Sequence, residues 1–155
     1  MLFAWLCILN GWPTVLQKEL RIPGKVIVLD QGPVFLLTEI CELRPDSRAA
    51  KPTPNMWRHL YHKWASVLDA IVWLDTQDAF LLQRIRSRDK AHPVKDKCTE
   101  KAIGFLDRYR AAYEHSLSLL RACNPDLRVF RFDTNSATAA EIAAYLIGEL
   151  GLSAS

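Results

Sequence analysis

Ala70-Ile71-Val72-Trp73-Leu74-Asp75, followed at once by Thr76-Gln77-Asp78, sets the fold class of this chain. The first six residues form a near-continuous apolar run of strand length that ends in a carboxylate, as suits a strand covered on both faces. The next three break that run with polar side chains and open a helix. The same order recurs on either side. Upstream, Lys25–Asp30 reads as a strand, Gln31-Gly32-Pro33 as a turn, and Val34 to Glu42 as a short helix. Downstream, Arg128–Asp133 reads as a strand, and Thr138-Ala139-Ala140-Glu141 as a capping box opening a terminal helix that Gly151 ends. Strands that alternate with helices predict an α/β fold, a parallel sheet of about three strands with helices on both faces. Ligands meet such sheets at the carboxyl ends of the strands. Asp30, Asp75 and Asp133 stand at those ends.

The remaining segments fit around this frame. Leu2 to about Leu20 is apolar and of helical length but contains Asn10-Gly11-Trp12-Pro13, which predicts one short helix and a second starting near Pro13. Ile22-Pro23-Gly24 is a turn. Arg44 to Pro54, with Pro45, Pro52 and Pro54, predicts an irregular loop. Met56, Leu60, Trp64 and Leu68 then recur at helical spacing after a capping Asn55. A helix to about Arg88, a polar basic loop to Cys98, and a long helix from Thr99 to about Ala122, stopped by Asn124-Pro125-Asp126, complete the order.

Of the 155 residues, 50% are hydrophobic and 24% charged, the balance of an ordinary globular chain, read as a single domain over 1–155. The net charge of +3 calls for no nucleic-acid partner. Its distribution is uneven, because Arg84–Lys101 holds seven basic residues against three acidic ones, so any polyanion site belongs there. Cys7, Cys41, Cys98 and Cys123 form no C-x-x-C pair and read as reduced thiols in a cytoplasmic protein. The apolar run Leu2–Leu9 is far short of the ~20 residues that span a bilayer, which predicts no membrane partner. His59 and His62 share a helical face but lack the third ligand a metal site needs.

Two groups of residues carry candidate chemistry. Asp30, after an apolar strand, fits a general base within reach of an acceptor hydroxyl, or else a carboxylate that caps the strand through local amides. Arg84 and Arg88 are four apart and share a helical face, whereas Arg86 points about 200° away. With Lys90 in the following loop they could grip one phosphate chain, since guanidinium forks match phosphate oxygens; the other reading is a solvated basic helix end. Trp57, Trp64, Tyr109 and Tyr113 lie at helical spacings and read as core.

From about residue 22 to 150 these segments resemble the P-loop deoxynucleoside and thymidylate kinase family. VIVLDQGPVF is similar to that family's third strand and its acidic end. IVWLDTQDAFLLQRIRSRDKAHPVKDK resembles the fourth strand, following helix and Arg-rich lid; FLDRYRAAYEHSL and RVFRFDTNSATAAEIA resemble the elements that close the domain. The resemblance implies a P-loop NTPase kinase-like fold and an ATP-dependent phosphotransferase with magnesium as cofactor. It implies Asp30 as catalytic base, Arg84, Arg88 and Lys90 as phosphate-binding residues, 84–98 as a lid, and a nucleoside, nucleotide or similar small molecule as acceptor. Two features depart from the pattern. Gln31 stands where thymidylate kinases place an arginine, and no G-x-x-x-x-G-K-[ST] loop occurs in the chain. The expectation is therefore an incomplete kinase-like domain, inactive as it stands and able to self-associate through exposed strand edges. The competing readings are a non-catalytic remnant or partner-binding domain, and another P-loop transferase such as a sulfotransferase.

Overall fold

A computed structural model describes residues 2–30, 32–41 and 54–152. Among these the chain is α/β, with α1 (Leu2–Glu19), α2 (Pro33–Cys41), α3 (Pro54–Ala65), β1 (Ala70–Asp75), α4 (Asp78–Ser87), α5 (Thr99–Cys123), β2 (Arg128–Asp133) and α6 (Ala139–Leu150). Gln31 and most of the loop expected from Arg44 to Pro54 lie outside the described residues. The elements fall into two compact units. One runs to Asp69 and adds Asp107–Leu127; the other holds Ala70–Leu106 and the residues from Arg128 on.

The first unit is helical. Leu9, Leu16, Leu37, Leu60, Trp64, Leu117 and Leu120 are among its buried side chains, and α1 packs against α2 and α3. Contrary to the expected break at Asn10–Pro13, α1 is one helix that runs through Pro13. Proline has no N–H, so the carbonyl four residues back, that of Leu9, loses its helical partner. Trp64 replaces it: the indole Nε1–H donates to the Leu9 carbonyl at 2.9 Å. Beside it, Lys63 Nζ donates to Asn10 Oδ1 at 2.8 Å. A donor borrowed from α3 thus lets α1 continue where the local rule would stop it.

A second buried polar cluster lies in this unit. Thr38 and Ser116 are fully buried; Thr38 Oγ1 donates to Ser116 Oγ at 3.1 Å, and Tyr61 OH to the same oxygen at 3.3 Å. Bonding satisfies groups that would otherwise destabilise an apolar interior. Tyr109 and Tyr113 stack on each other, with centroids 5.8 Å apart, and burial raises both hydroxyl pKa values.

The expected strand Lys25–Asp30 does not form. The turn before it does, with Gly24 at φ 74°, a left-handed conformation that glycine adopts without strain. Residues 25–29 then run without strand structure, and Asp30 lies in a turn. Val26 is 53% exposed and Val28 87%. A β-branched run becomes a strand only when a neighbour supplies the ladder, and no strand pairs with this one among the described residues.

The second unit holds the sheet. β1 and β2 pair in parallel from Ala70↔Arg128 to Asp75↔Asp133, and the chain crosses between them through α4 and α5, as a parallel pair requires. On one face Phe130 and Phe132 meet Tyr145 of α6 edge-on, with ring centroids 6.1 and 5.6 Å apart. On the same face Val72 is 39% exposed and Leu74 57%, so β1 is not covered on both sides as its composition implies. Leu82 and Ile85 of α4 pack with Val94 and with Ala102 and Leu106 of α5. The capping box forms as expected: Thr138 Oγ1 accepts from the Glu141 amide at 3.3 Å, and Glu141 accepts from the Thr138 amide at 2.8 Å. Gly151, at φ 62°, ends α6. No helix among the described residues is long and apolar enough to cross a membrane.

Candidate functional site at the strand ends

The carboxyl ends of β1 and β2 are tied together by the residues that follow them. The Thr134 amide donates to the Asp75 carbonyl at 2.8 Å. Asp75 Oδ1 accepts from the Thr76 amide at 2.8 Å, and Oδ2 pairs with Arg131 at 3.0 Å. Arg131 also lies over the Trp73 ring, 4.1 Å from its centroid. Asp133 Oδ1 accepts from the Asn135 amide at 2.9 Å. Asp75 and Asp133 therefore each accept from a backbone amide one or two residues on, the bond by which a carboxylate organises a local turn.

Arg84 is brought to this end of the sheet. Its Nη1 donates to Thr134 Oγ1 at 2.7 Å and its Nη2 to the Thr134 carbonyl at 3.2 Å. These two contacts fix the guanidinium and use only part of its donor fork. Sequence reasoning missed Thr134, whose one signal was its place directly after a strand-end aspartate.

α4 ends at Ser87, and Arg88 is its C-cap, with a φ of −75° that still follows the helix and an extended ψ of 142° that turns the chain away after it. The Arg88 carbonyl accepts from Lys95 Nζ. Lys90 is exposed, in the bend that follows. Arg86 bridges the segment, donating to the Lys97 carbonyl at 3.2 Å. Asp30 is exposed, in a turn of the helical unit. His59 and His62 are both exposed on α3, and no group of three metal-ligating side chains occurs among the described residues.

The lid-like segment 84–98 is pinned rather than loose. Val94, 2% exposed, inserts between α4 and α5. His92 Nδ1 accepts from the Val94 amide at 3.3 Å, and its ring meets Phe105 edge-on. Burial, and then the charge of Arg88, lower the His92 pKa below its ordinary 6.5. A histidine with a depressed folded pKa is protonated first in the unfolded chain, so its contribution is present above pH ~6.5 and is lost as pH falls toward the folded value. The protonated ring also gives up its acceptor at Nδ1. The amides of Val94, Lys95 and Lys97 should lose a few-fold of their hydrogen-exchange protection between pH 7.0 and 5.5, after correction for intrinsic rates. His92→Asn, which does not titrate, should abolish that dependence; equal protection at both pH values in the native chain counts against it.

No protein-family model matches this chain, and no similar curated protein or solved structure was found.

Proposed function

We propose that the chain carries the lid and acceptor side of an ATP-dependent phosphotransferase of the nucleoside or nucleotide kinase type, with a P-loop kinase-like fold. The observation that supports this most is Arg84, whose guanidinium is held by Thr134 at the carboxyl end of a parallel strand pair and leads into the basic segment to Lys101. That is the end at which α/β sheets take ligands. A fixed guanidinium there suits the charge on a transferring phosphoryl group. In this reading Arg84, Arg88 and Lys90 hold phosphate oxygens, and Asp30 accepts the proton of the attacking hydroxyl.

The fit to the implied cofactors is partial. The phosphates of ATP have Arg84 to meet them, but the backbone cradle of a G-x-x-x-x-G-K-[ST] loop is not among these residues. Magnesium is commonly held by one or two carboxylates together with the phosphates themselves, and would enter with the nucleotide. The 155-residue chain should accordingly bind polyphosphate weakly and turn over no ATP.

Titration with inorganic triphosphate, followed by NMR at the arginine Nε–Hε groups, tests this. Saturable shifts should appear at Arg84 and Arg88, and Arg84→Ala should weaken binding about tenfold, the scale of one charge-assisted contact. Arg128→Ala removes the same charge at the opposite end of β2, where Arg128 bonds the Glu149 carbonyl, and should change affinity little. Absence of saturable shifts, or equal losses in both variants, counts against the reading. A second reading, a partner-binding domain without catalysis, is favoured by the exposed apolar residues Val26, Val28, Val72 and Leu74.

A further inference from the structure

Two features of the chain each lack what the other has. β1 pairs with β2 along one edge, and among the described residues no strand takes up the N–H and C=O groups of its second edge. Residues 25–29, Lys-Val-Ile-Val-Leu, are β-branched and close to the length of β1, and they make no ladder. We propose that a second copy of this chain occupies the open edge of β1 by adding its residues 25–29 as an antiparallel strand.

Charge and side-chain parity select the direction. With Lys25 opposite Asp75, the pairs that follow are Val26–Leu74, Ile27–Trp73, Val28–Val72 and Leu29–Ile71. Residues directly opposite each other in an antiparallel pair point to the same face. The four exposed apolar side chains Val26, Val28, Val72 and Leu74 therefore come together, beside Phe130 and Phe132. Lys25 joins Arg131 at the Asp75 carboxylate, exchanging an exposed pair with Glu19 that contributes little. Parallel pairing of 25–30 with 70–75 would instead set Asp30 against Asp75, two like charges directly opposite. A parallel pairing shifted by one residue aligns the valines but leaves Asp75 against Leu29, with no ion pair.

Each copy has one segment to give and one edge to receive, so two copies that exchange segments satisfy both and close as a dimer. It also keeps self-association apart from phosphate binding at Arg84. In the dimer Asp30 of one copy lies beside Ala70 of the other, at the end of β1 remote from Arg84.

Sedimentation velocity over a concentration series tests the proposal. A reversible monomer–dimer equilibrium is expected, with a dissociation constant on the order of micromolar for so small an interface. Val28→Lys alters a side chain that is 87% exposed, so the monomer keeps its circular dichroism and melting temperature while the dimer weakens at least ~10-fold by loss of apolar contact and added charge at the edge. In a background with the native cysteines changed to serine, chains bearing Val26→Cys mixed with chains bearing Leu74→Cys should form an interchain disulfide. Val15→Cys, at an exposed position of α1, should form none with Leu74→Cys. A monomer at all concentrations, or a dimer indifferent to Val28→Lys, overturns the proposal. So does a disulfide that closes within one chain carrying both Val26→Cys and Leu74→Cys while none forms between chains. None of these outcomes bears on triphosphate binding at Arg84.

Discussion

Trp64→Phe should destabilise the helical unit by about 1–3 kcal/mol, well beyond the loss of ring size, because it leaves the Leu9 carbonyl buried without a donor. Trp64→Ala, which also opens a cavity at a position only 2% exposed, should cost about 3–5 kcal/mol. Against a typical total of ~5–15 kcal/mol, the larger loss approaches the threshold of folding. The discriminating variant is Pro13→Ala. Alanine restores the N–H that proline lacks, and that N–H can serve the Leu9 carbonyl from within α1. Pro13→Ala should therefore recover ~1 kcal/mol or more in the Trp64→Phe chain and much less in the native one. Urea denaturation of the four chains gives the coupling directly. Additivity within ~0.3 kcal/mol would mean that the indole is not standing in for the proline's missing donor.

In any longer form that carries a phosphate loop and turns over ATP, Asp30→Asn should lower kcat by at least ~100-fold, the lower scale for a positioned general base. Its interpretation is clean on the stability side. Asp30 is exposed in a turn, and surface substitutions of this kind usually change stability by less than ~0.5 kcal/mol. A lost rate would be lost chemistry. Single-turnover transfer from Mg-ATP to a nucleoside acceptor is the measurement, and near-normal turnover would make Asp30 a local turn residue.

The parts of the fold that were legible in the sequence are those whose cause is local. The capping box at Thr138 and Glu141, the left-handed stop at Gly151, and the start of α4 directly after the polar Thr76-Gln77 turn each depend on residues within a few positions, and each is present. Lys25–Asp30 has the same composition as β1, yet strand formation is a property of a pair and the partner is not in the segment. Pro13 obeyed a local rule that a side chain 51 positions away overrides. At the site, the charge of the 84–101 segment was readable. The pinning of that segment by Val94, and the seat of Arg84 on Thr134, were not, because both depend on how distant elements pack.

The two compact units are interleaved along the chain: residues 70–106 of one interrupt the other, whose last portion is Asp107–Leu127. During synthesis the helical unit stays incomplete until Leu127 has left the ribosome, although its first three helices emerge much earlier. Thr38 and Tyr61 wait for Ser116, respectively 78 and 55 positions later, to form their buried bonds. No single cut in the chain yields either unit whole, so fragment boundaries chosen from the order of secondary structure would divide a core rather than a linker.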